Sequence, residues 1–311
     1  MDGQNLREAY GKKLVELGSK NKNIVVLDAD LSKSTSTTLF EKNFPDRYFE
    51  IGIAEQNMVS IGVGLSLTGK IVFLNSFAVF LTGRAYDQIR VGVALGKANI
   101  KLIGSSAGLS DYDDGATHQS FEDISLMRSL PNMRVIVPSD AIETQKMTEF
   151  IANSEGPFYV RLNKQNLPTV FNEKWEFKLG KLYEMRKGTD IVIFTNGVMI
   201  TKSLSAAKLL ENQGINTEVI NVSTIKPLNS KSILEIATNF KKVIVAEEHS
   251  IYGGLGSSIC ELLVGIKNIS IKVIGIKDQF GRSACNYDDL LDFYGLTEKN
   301  IINAVEDILK R

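Results

Sequence analysis

Glu55 is the first residue to weigh, because the segment YFEIGIAEQNMVSIGVGLSLTG (48–69) sets one carboxylate among mostly apolar and small side chains. A carboxylate in such surroundings needs a partner, since an unpaired charge away from water is costly. Two readings stand side by side: a helix-start carboxylate satisfied by backbone N–H groups, and a proton-transfer group aimed at a ligand nitrogen. The next stretch, NSFAVFLTGRAYDQIR (75–90), gathers Phe77, Phe80 and Tyr86 around a short polar turn, with Arg84 and Arg90 close behind. Aromatic residues in such a place serve either a core or a ligand platform. The loop GLSDYDDGATHQSFED (108–123) is too polar for a strand interior and carries His118, four residues after Asp114. A carboxylate and an imidazole on one glycine-bearing loop suit shared contact with a substrate. A solvated acidic turn fits the same composition. Asp111, Asp113 and Asp114 also suggest a cation site, but the spacing and terminal glutamate of an EF-hand are missing.

Three sets of donors stand where an anion such as phosphate would be held: Arg7 before the first strand, Ser32, Lys33 and Ser34 in DADLSKST, and Arg161 with Lys164 in FYVRLNKQN. Any one of them alone is an ordinary surface charge. In EEHSIYGGLGSSICELL (247–263) the glycines suggest a phosphate loop, yet the Walker lysine and the dinucleotide spacing are both absent. That segment reads instead as a helix packed closely on a neighbour, with His249 at its start satisfied by hydrogen bonding.

The elements that position these residues follow from periodicity. Leu6, Ala9, Tyr10, Leu14 and Leu17 share one helical face over 5–17, and Gly18 follows as a stop signal. Apolar runs IVVLD (24–28), IVFL (71–74), IKLIG (100–104), RVIVP (134–138) and FYVRL (158–162) alternate with helical spacing, which predicts βα units around a largely parallel sheet. Asp140 or Ser139 caps a helix over about 141–153, with Glu143 completing a capping box. Periodicity fades from 165 to 187, read as an ordered linker, and an α/β pattern restarts at DIVIFTNG. The fold class is α/β in two domains, each a doubly wound, largely parallel sheet flanked by helices.

Composition sets the bounds. At 311 residues the chain has room for two cores, and 43% hydrophobic with 23% charged residues is ordinary for a soluble globular protein. Lys+Arg and Asp+Glu balance at 36 each, which argues against broad nucleic-acid binding. No run of about 18 apolar residues predicts a membrane span. Two cysteines, Cys260 and Cys285, and a start without signal-peptide character point to a reducing cytoplasm. Two histidines exclude a multi-histidine metal site.

Taken together, GIAEQNM, SFAVFLTGRAYDQIR, DDGATHQS and RLNKQNLP, in this order and spacing, resemble the transketolase family. The resemblance covers essentially the whole chain. It implies a pyrimidine-binding domain over 1–166, a linker over 167–187 and a transketolase C-terminal domain over 188–311. The family's GDG motif has no counterpart in the sequence. The chain therefore looks like the small subunit of a split transketolase, active with a separate N-terminal subunit that carries GDG and the ligands for diphosphate and Mg2+. Two copies of each subunit are expected, and the chemistry belongs to pentose phosphate metabolism.

By that resemblance Glu55 meets the aminopyrimidine ring nitrogen of thiamine diphosphate and favours the tautomer that activates the thiazolium carbon. Phe77 and Phe80 flank the aminopyrimidine, Arg84 stands beside it, and Asp30 and Leu31 lie in the loop that approaches the cofactor. His118 and Asp114 bind sugar hydroxyls and assist proton transfer. Arg7, Ser34, Arg161 and Lys164 are the candidate contacts to sugar phosphates. Three departures are visible: Ala116 for a common proline, Lys164 for an arginine, which loses the planar fork, and Ser105 and Ser106 where a substrate histidine is usual. Alternative expectations are a 2-oxo acid dehydrogenase beta subunit, 1-deoxyxylulose-phosphate synthase-like chemistry, and a regulatory subunit that keeps the fold. RAYDQIR and DGATHQ favour the transketolase reading over the first of these.

Overall fold

The computed structural model describes residues 3–310. In the first half the strands are β1 (Gln4–Asn5), β2 (Ile24–Asp28), β3 (Tyr48–Glu50), β4 (Ile71–Phe77), β5 (Ile100–Ser105), β6 (Arg134–Ile136), β7 (Phe158–Arg161) and β8 (Asn166–Leu167). The second half adds β9 (Tyr183–Arg186), β10 (Ile191–Thr195), β11 (Thr217–Asn221), β12 (Thr224–Lys226), β13 (Lys242–Ser250) and β14 (Ser270–Ile276). One sheet runs β12-β6-β7-β5-β4-β2-β3, and the other β14-β13-β10-β11-β9. Every pairing in them is parallel except the two edges, β12 on β6 and β9 on β11. Helices cover both faces. Consequently alternate residues of β2 are all buried, Ile24 and Val26 into one core, Val25 and Leu27 into the other.

Three local differences from the periodicity have physical causes. The first helix runs Leu6–Lys20, two residues past the expected stop. Gly18 does not end it. A Cβ there would come within 2.5 Å of the Phe40 ring, so the glycine is needed for close packing of the helix Thr38–Asn43. The stretch 165–187 is more than a linker. β8 pairs with β1, and β9 closes the second sheet. Between them Phe171, Trp175 and Tyr183 pack together, and Asp140 Oδ2 accepts from Val170 and Phe171 N–H at 2.8 and 2.9 Å. The same Asp140 caps the helix Ala141–Ala152 through Glu143 N–H at 2.7 Å. Finally, β12 lies in the second half of the sequence yet completes the first sheet, so the two halves share strands as well as a surface.

The C-terminal ends of β2, β4, β5 and β7 open onto one edge, where ligands of doubly wound sheets bind. Among the described residues no helix is long and apolar enough to cross a membrane. Cys260 and Cys285 are both free.

Candidate active site

Glu55 begins the helix Glu55–Leu67 and is 3% exposed. Its carboxylate accepts from Arg84 Nη1 at 3.1 and 3.3 Å and lies 3.5 Å from Ser76 Oγ at the end of β4. No helix N–H donates to it among the described residues, so the plain capping role is not the one it plays here. Arg84 is 47% exposed and approaches from the open side. Its guanidinium lies over the Phe80 ring at 4.0 Å, a cation–π contact that fixes both groups. Phe80 stacks on Phe77 at 5.8 Å and 18°. His118 then sets its ring edgewise to both, at 5.1 Å from Phe80 and 6.1 Å from Phe77. Thus Glu55, Arg84, Phe80, Phe77 and His118, scattered over 64 positions of sequence, form one contact chain.

The backbone explains this placement. Phe80–Arg84 and Ile89–Leu95 are wound as π-helix, a local widening often found at functional sites. The loop bearing His118 is closed by reciprocal backbone bonds between Gly108 and Ser120 at 2.7 and 3.1 Å. Thr117 Oγ1 lies 2.9 Å from His118 Nδ1 and fixes the ring's orientation. Asp114 is exposed at the head of the turn Gly115–Thr117. At the end of β2, buried Asp28 accepts from Leu31 N–H and the hydroxyls of Thr35 and Thr37 at 2.7, 2.6 and 2.8 Å. Burial raises its pKa to about 6. Those bonds shape the turn that holds Asp30, at φ 61°, Leu31 and half-buried Ser34.

A second cluster contains Arg7, Asp111 and Lys164. Lys164 Nζ lies 2.6 Å from Asp111 Oδ1, and Arg7 Nη2 donates to the Lys164 carbonyl at 3.4 Å. This answers the cation-site reading of the acidic loop: Asp111 is turned inward to a lysine, while Asp113 and Asp114 face solvent. Ser105 and Ser106 are fully buried, each with a hydroxyl that has no hydrogen-bond partner among the described residues.

Arg161 corrects an expectation. It is 5% exposed and ion-paired to Asp123 at 2.9 Å, and it donates to the carbonyls of Ser120 and Glu248 at 3.3 and 2.9 Å. With Nε and Nη2 committed to the protein itself and the side chain almost wholly buried, it is a structural arginine and not a phosphate contact. Burial pulls its pKa down, and the carboxylates of Asp123 and Glu248 outweigh that and raise it. Arg161 braces the two domains, with Glu248 accepting in turn from Leu109 N–H, Asn163 and Tyr287. Asp123, Glu248 and Tyr287 carried no sequence signal, because only the fold brings them to Arg161.

The glycine segment 253–256 is also occupied by the protein itself. Leu255 and Gly256 N–H both donate to the buried Glu247 carboxylate at 2.7 Å, so a helix N-terminus that would suit an anion already holds one. His249 beside it is fully buried, with Nδ1 2.8 Å from the Ser250 carbonyl and Nε2 without a hydrogen-bond partner among the described residues. Burial lowers its pKa from 6.5 to about 4, against the field of Asp123. The folded state therefore keeps the imidazole neutral, and the stability this contributes is full above pH 6.5 and lost as pH falls through about 4. Calorimetric unfolding midpoints are expected to fall more steeply over that range in the wild type than in His249→Gln. Parallel pH profiles would contradict it.

Comparison with known proteins decides the family. Residues 2–170 match the transketolase pyrimidine-binding domain and residues 180–301 the transketolase C-terminal domain. The chain belongs to the transketolase family. A Methanocaldococcus jannaschii protein named as a transketolase C-terminal section is 41% identical over 98% of this chain and 96% of its own length. The 6-deoxy-6-sulfo-D-fructose transketolase subunit SqwH of Clostridium sp. is 37% identical over 98% of this chain and 95% of its own. A solved split-gene transketolase, an inactive beta4 tetramer, shares 43% identity and a TM-score of 0.89 over 99% of both chains. By contrast, the chain spans 49% of human transketolase, at 35% identity. It thus matches nearly the whole length of the C-terminal section and of SqwH, but about half the length of human transketolase.

Transketolases use thiamine diphosphate, and the first cluster fits its aromatic ring. A buried carboxylate opens onto a cleft of about 600 Å³ between Ile53, Gln56, Asn57 and Arg84. Arg84 on its wall lies over the Phe80 ring, which stacks on Phe77, so an apolar ring surface adjoins the carboxylate's partner. A carboxylate for a ring nitrogen next to a surface for a ring face is the chemistry such a heterocycle needs.

Proposed function

We propose that this chain is the C-terminal subunit of a two-chain transketolase that moves a two-carbon ketol unit from a ketose phosphate to an aldose phosphate. The observation that carries the reading is Glu55: a buried carboxylate, met from one side by half-exposed Arg84, at the mouth of an open cleft. Thiamine diphosphate, when bound, supplies the carbon nucleophile that accepts the ketol unit. Glu55 holds a proton at the aminopyrimidine nitrogen, Phe77 and Phe80 exclude water from that ring, and Arg84, Asp30 and Leu31 border it. His118 and Asp114 hold sugar hydroxyls, with His118 moving protons to and from the substrate oxygens. Arg7, Ser34 and Lys164 face the phosphate end.

A GDG-bearing N-terminal subunit supplies the ligands for Mg2+ and the diphosphate, and two copies of each chain assemble. Ile53 at the cleft mouth is 74% exposed, with Leu67 and Leu95 at 82% and 73% on the helical layer behind it. Apolar side chains so placed suit burial by a partner. The proposed compartment is the cytoplasm, where Cys260 and Cys285 stay reduced. Titration calorimetry with thiamine diphosphate and Mg2+ tests the assignment. Saturable binding is expected for the mixture of both subunits and negligible binding for this chain alone. Tight binding to the isolated chain would overturn the division of the site.

A further inference from the structure

The cluster of Arg7, Asp111 and Lys164 has a charge balance that a phosphate dianion does not match. Two cations share one carboxylate. Asp111 is fully buried, Lys164 Nζ lies 2.6 Å from its Oδ1, and its Oδ2 has no hydrogen-bond partner among the described residues. Arg7 Nε is likewise buried and without a partner. Burial lowers the Arg7 pKa and the negative charge of Asp111 opposes that, which places the carboxylate within electrostatic reach of both cations. Around them the Lys164 carbonyl accepts from Arg7 and from Asn5 Nδ2 at 3.4 and 2.9 Å, and Lys164 N–H donates to Ser110 Oγ at 3.1 Å. The backbone of Lys164 is therefore anchored by side chains of two other segments.

We propose that Asp111 is a specificity-determining residue: it leaves this subsite one net positive charge and favours a sugar whose far end carries a single negative charge, as a sulfonate does, over a phosphate dianion. The inference rests on the reading above, in which Arg7 and Lys164 face the end of the sugar remote from the reacting carbon. A dianion meets two choices. It draws Lys164 away and leaves the buried Asp111 carboxylate beside two further negative charges, or it binds with Arg7 as its main cation. Like charges in a desolvated site repel strongly, so either choice raises KM. A sulfonate offers the same three acceptor oxygens with one charge, which the pair of cations and Asp111 together neutralise. Phosphate esters remain substrates at raised KM.

The test uses the assembled two-subunit enzyme with thiamine diphosphate and Mg2+, and three ketose donors alike except at C6: fructose, fructose 6-phosphate and 6-deoxy-6-sulfofructose. In the wild type, kcat/KM for the sulfonate is expected to exceed that for the phosphate about tenfold, through KM. In Asp111→Asn the ratio of phosphate to uncharged fructose is expected to rise about tenfold or more. A wild type that prefers the phosphate overturns the inference whether or not the variant folds. A folded Asp111→Asn enzyme with an unchanged or lower ratio does so as well. Turnover of xylulose 5-phosphate in the same preparation with none of the three ketoses accepted also overturns the inference, whereas failure with xylulose 5-phosphate as well refutes the transketolase reading itself.

Discussion

Glu55→Gln is expected to lower ketol transfer in the assembled enzyme by about 10²–10⁴-fold while leaving the chain folded. Glutamine has the same shape and accepts a hydrogen bond from Arg84 through its amide oxygen, so the local packing survives. What it lacks is a charge and an exchangeable proton of carboxylic character at the atom that faces the ring nitrogen. Arg84, half exposed, turns its charge to water when the carboxylate is gone, so the stability cost stays small. The measurement pairs initial rates with a thermal melt of the same preparation. A slow enzyme with an unchanged melt is the expected pattern. Normal turnover would remove Glu55 from the chemistry, and a collapsed melt would return it to a purely structural role.

Arg161→Met carries the largest expected effect on stability. Arg161 touches Asp123 and Glu248, which are 0% and 3% exposed, and its removal leaves both carboxylates in a dry interior. Tyr159 and Tyr287 donate to them at 2.7 Å each, which compensates only part of the charge. Breaking a buried pair in this way costs about 3–5 kcal/mol, more than the pair contributes over an apolar replacement. The urea midpoint is expected to fall accordingly. A triple variant, Arg161→Met with Asp123→Asn and Glu248→Gln, should recover much of the loss because the orphaned charges go with the arginine. The single variant should also loosen the loop that carries His118, since Leu109 N–H and the Ser120 carbonyl are both held by this network. An Arg161→Met midpoint equal to that of the wild type would contradict the brace.

The contrast between Glu55 and Arg161 shows what the sequence makes legible. Phe77 ends β4, and Glu55, Phe80, Arg84 and His118 lie in the segments that follow β3, β4 and β5, where the topology of a parallel sheet forces loops together. Periodicity directs the loops after the strands toward one edge of the sheet, and the resemblance to the transketolase family is what groups these five residues there. Arg161 ends a strand and stands three residues before Lys164, so by type and place it resembled an anion contact. Its partners lie 38 and 87 residues away, and only the packing of the second domain turns its guanidinium inward. Gly18 misled for a similar reason: its lack of a side chain serves the Phe40 ring rather than a helix end. β12 shows the same limit, because a three-residue strand that crosses to the other sheet has no periodicity of its own to announce it. At Lys164 the charge was legible, but the buried Asp111 that holds it was not.

The most direct test of the central claim is ketol transfer from xylulose 5-phosphate to ribose 5-phosphate, with saturating thiamine diphosphate, Mg2+ and both sugars. It is run with this chain alone, with a GDG-bearing N-terminal subunit alone, and with the two mixed. The account predicts sedoheptulose 7-phosphate only from the mixture, and its loss when the mixture contains Glu55→Gln. Transfer by this chain alone, or an active mixture indifferent to Glu55, would contradict it.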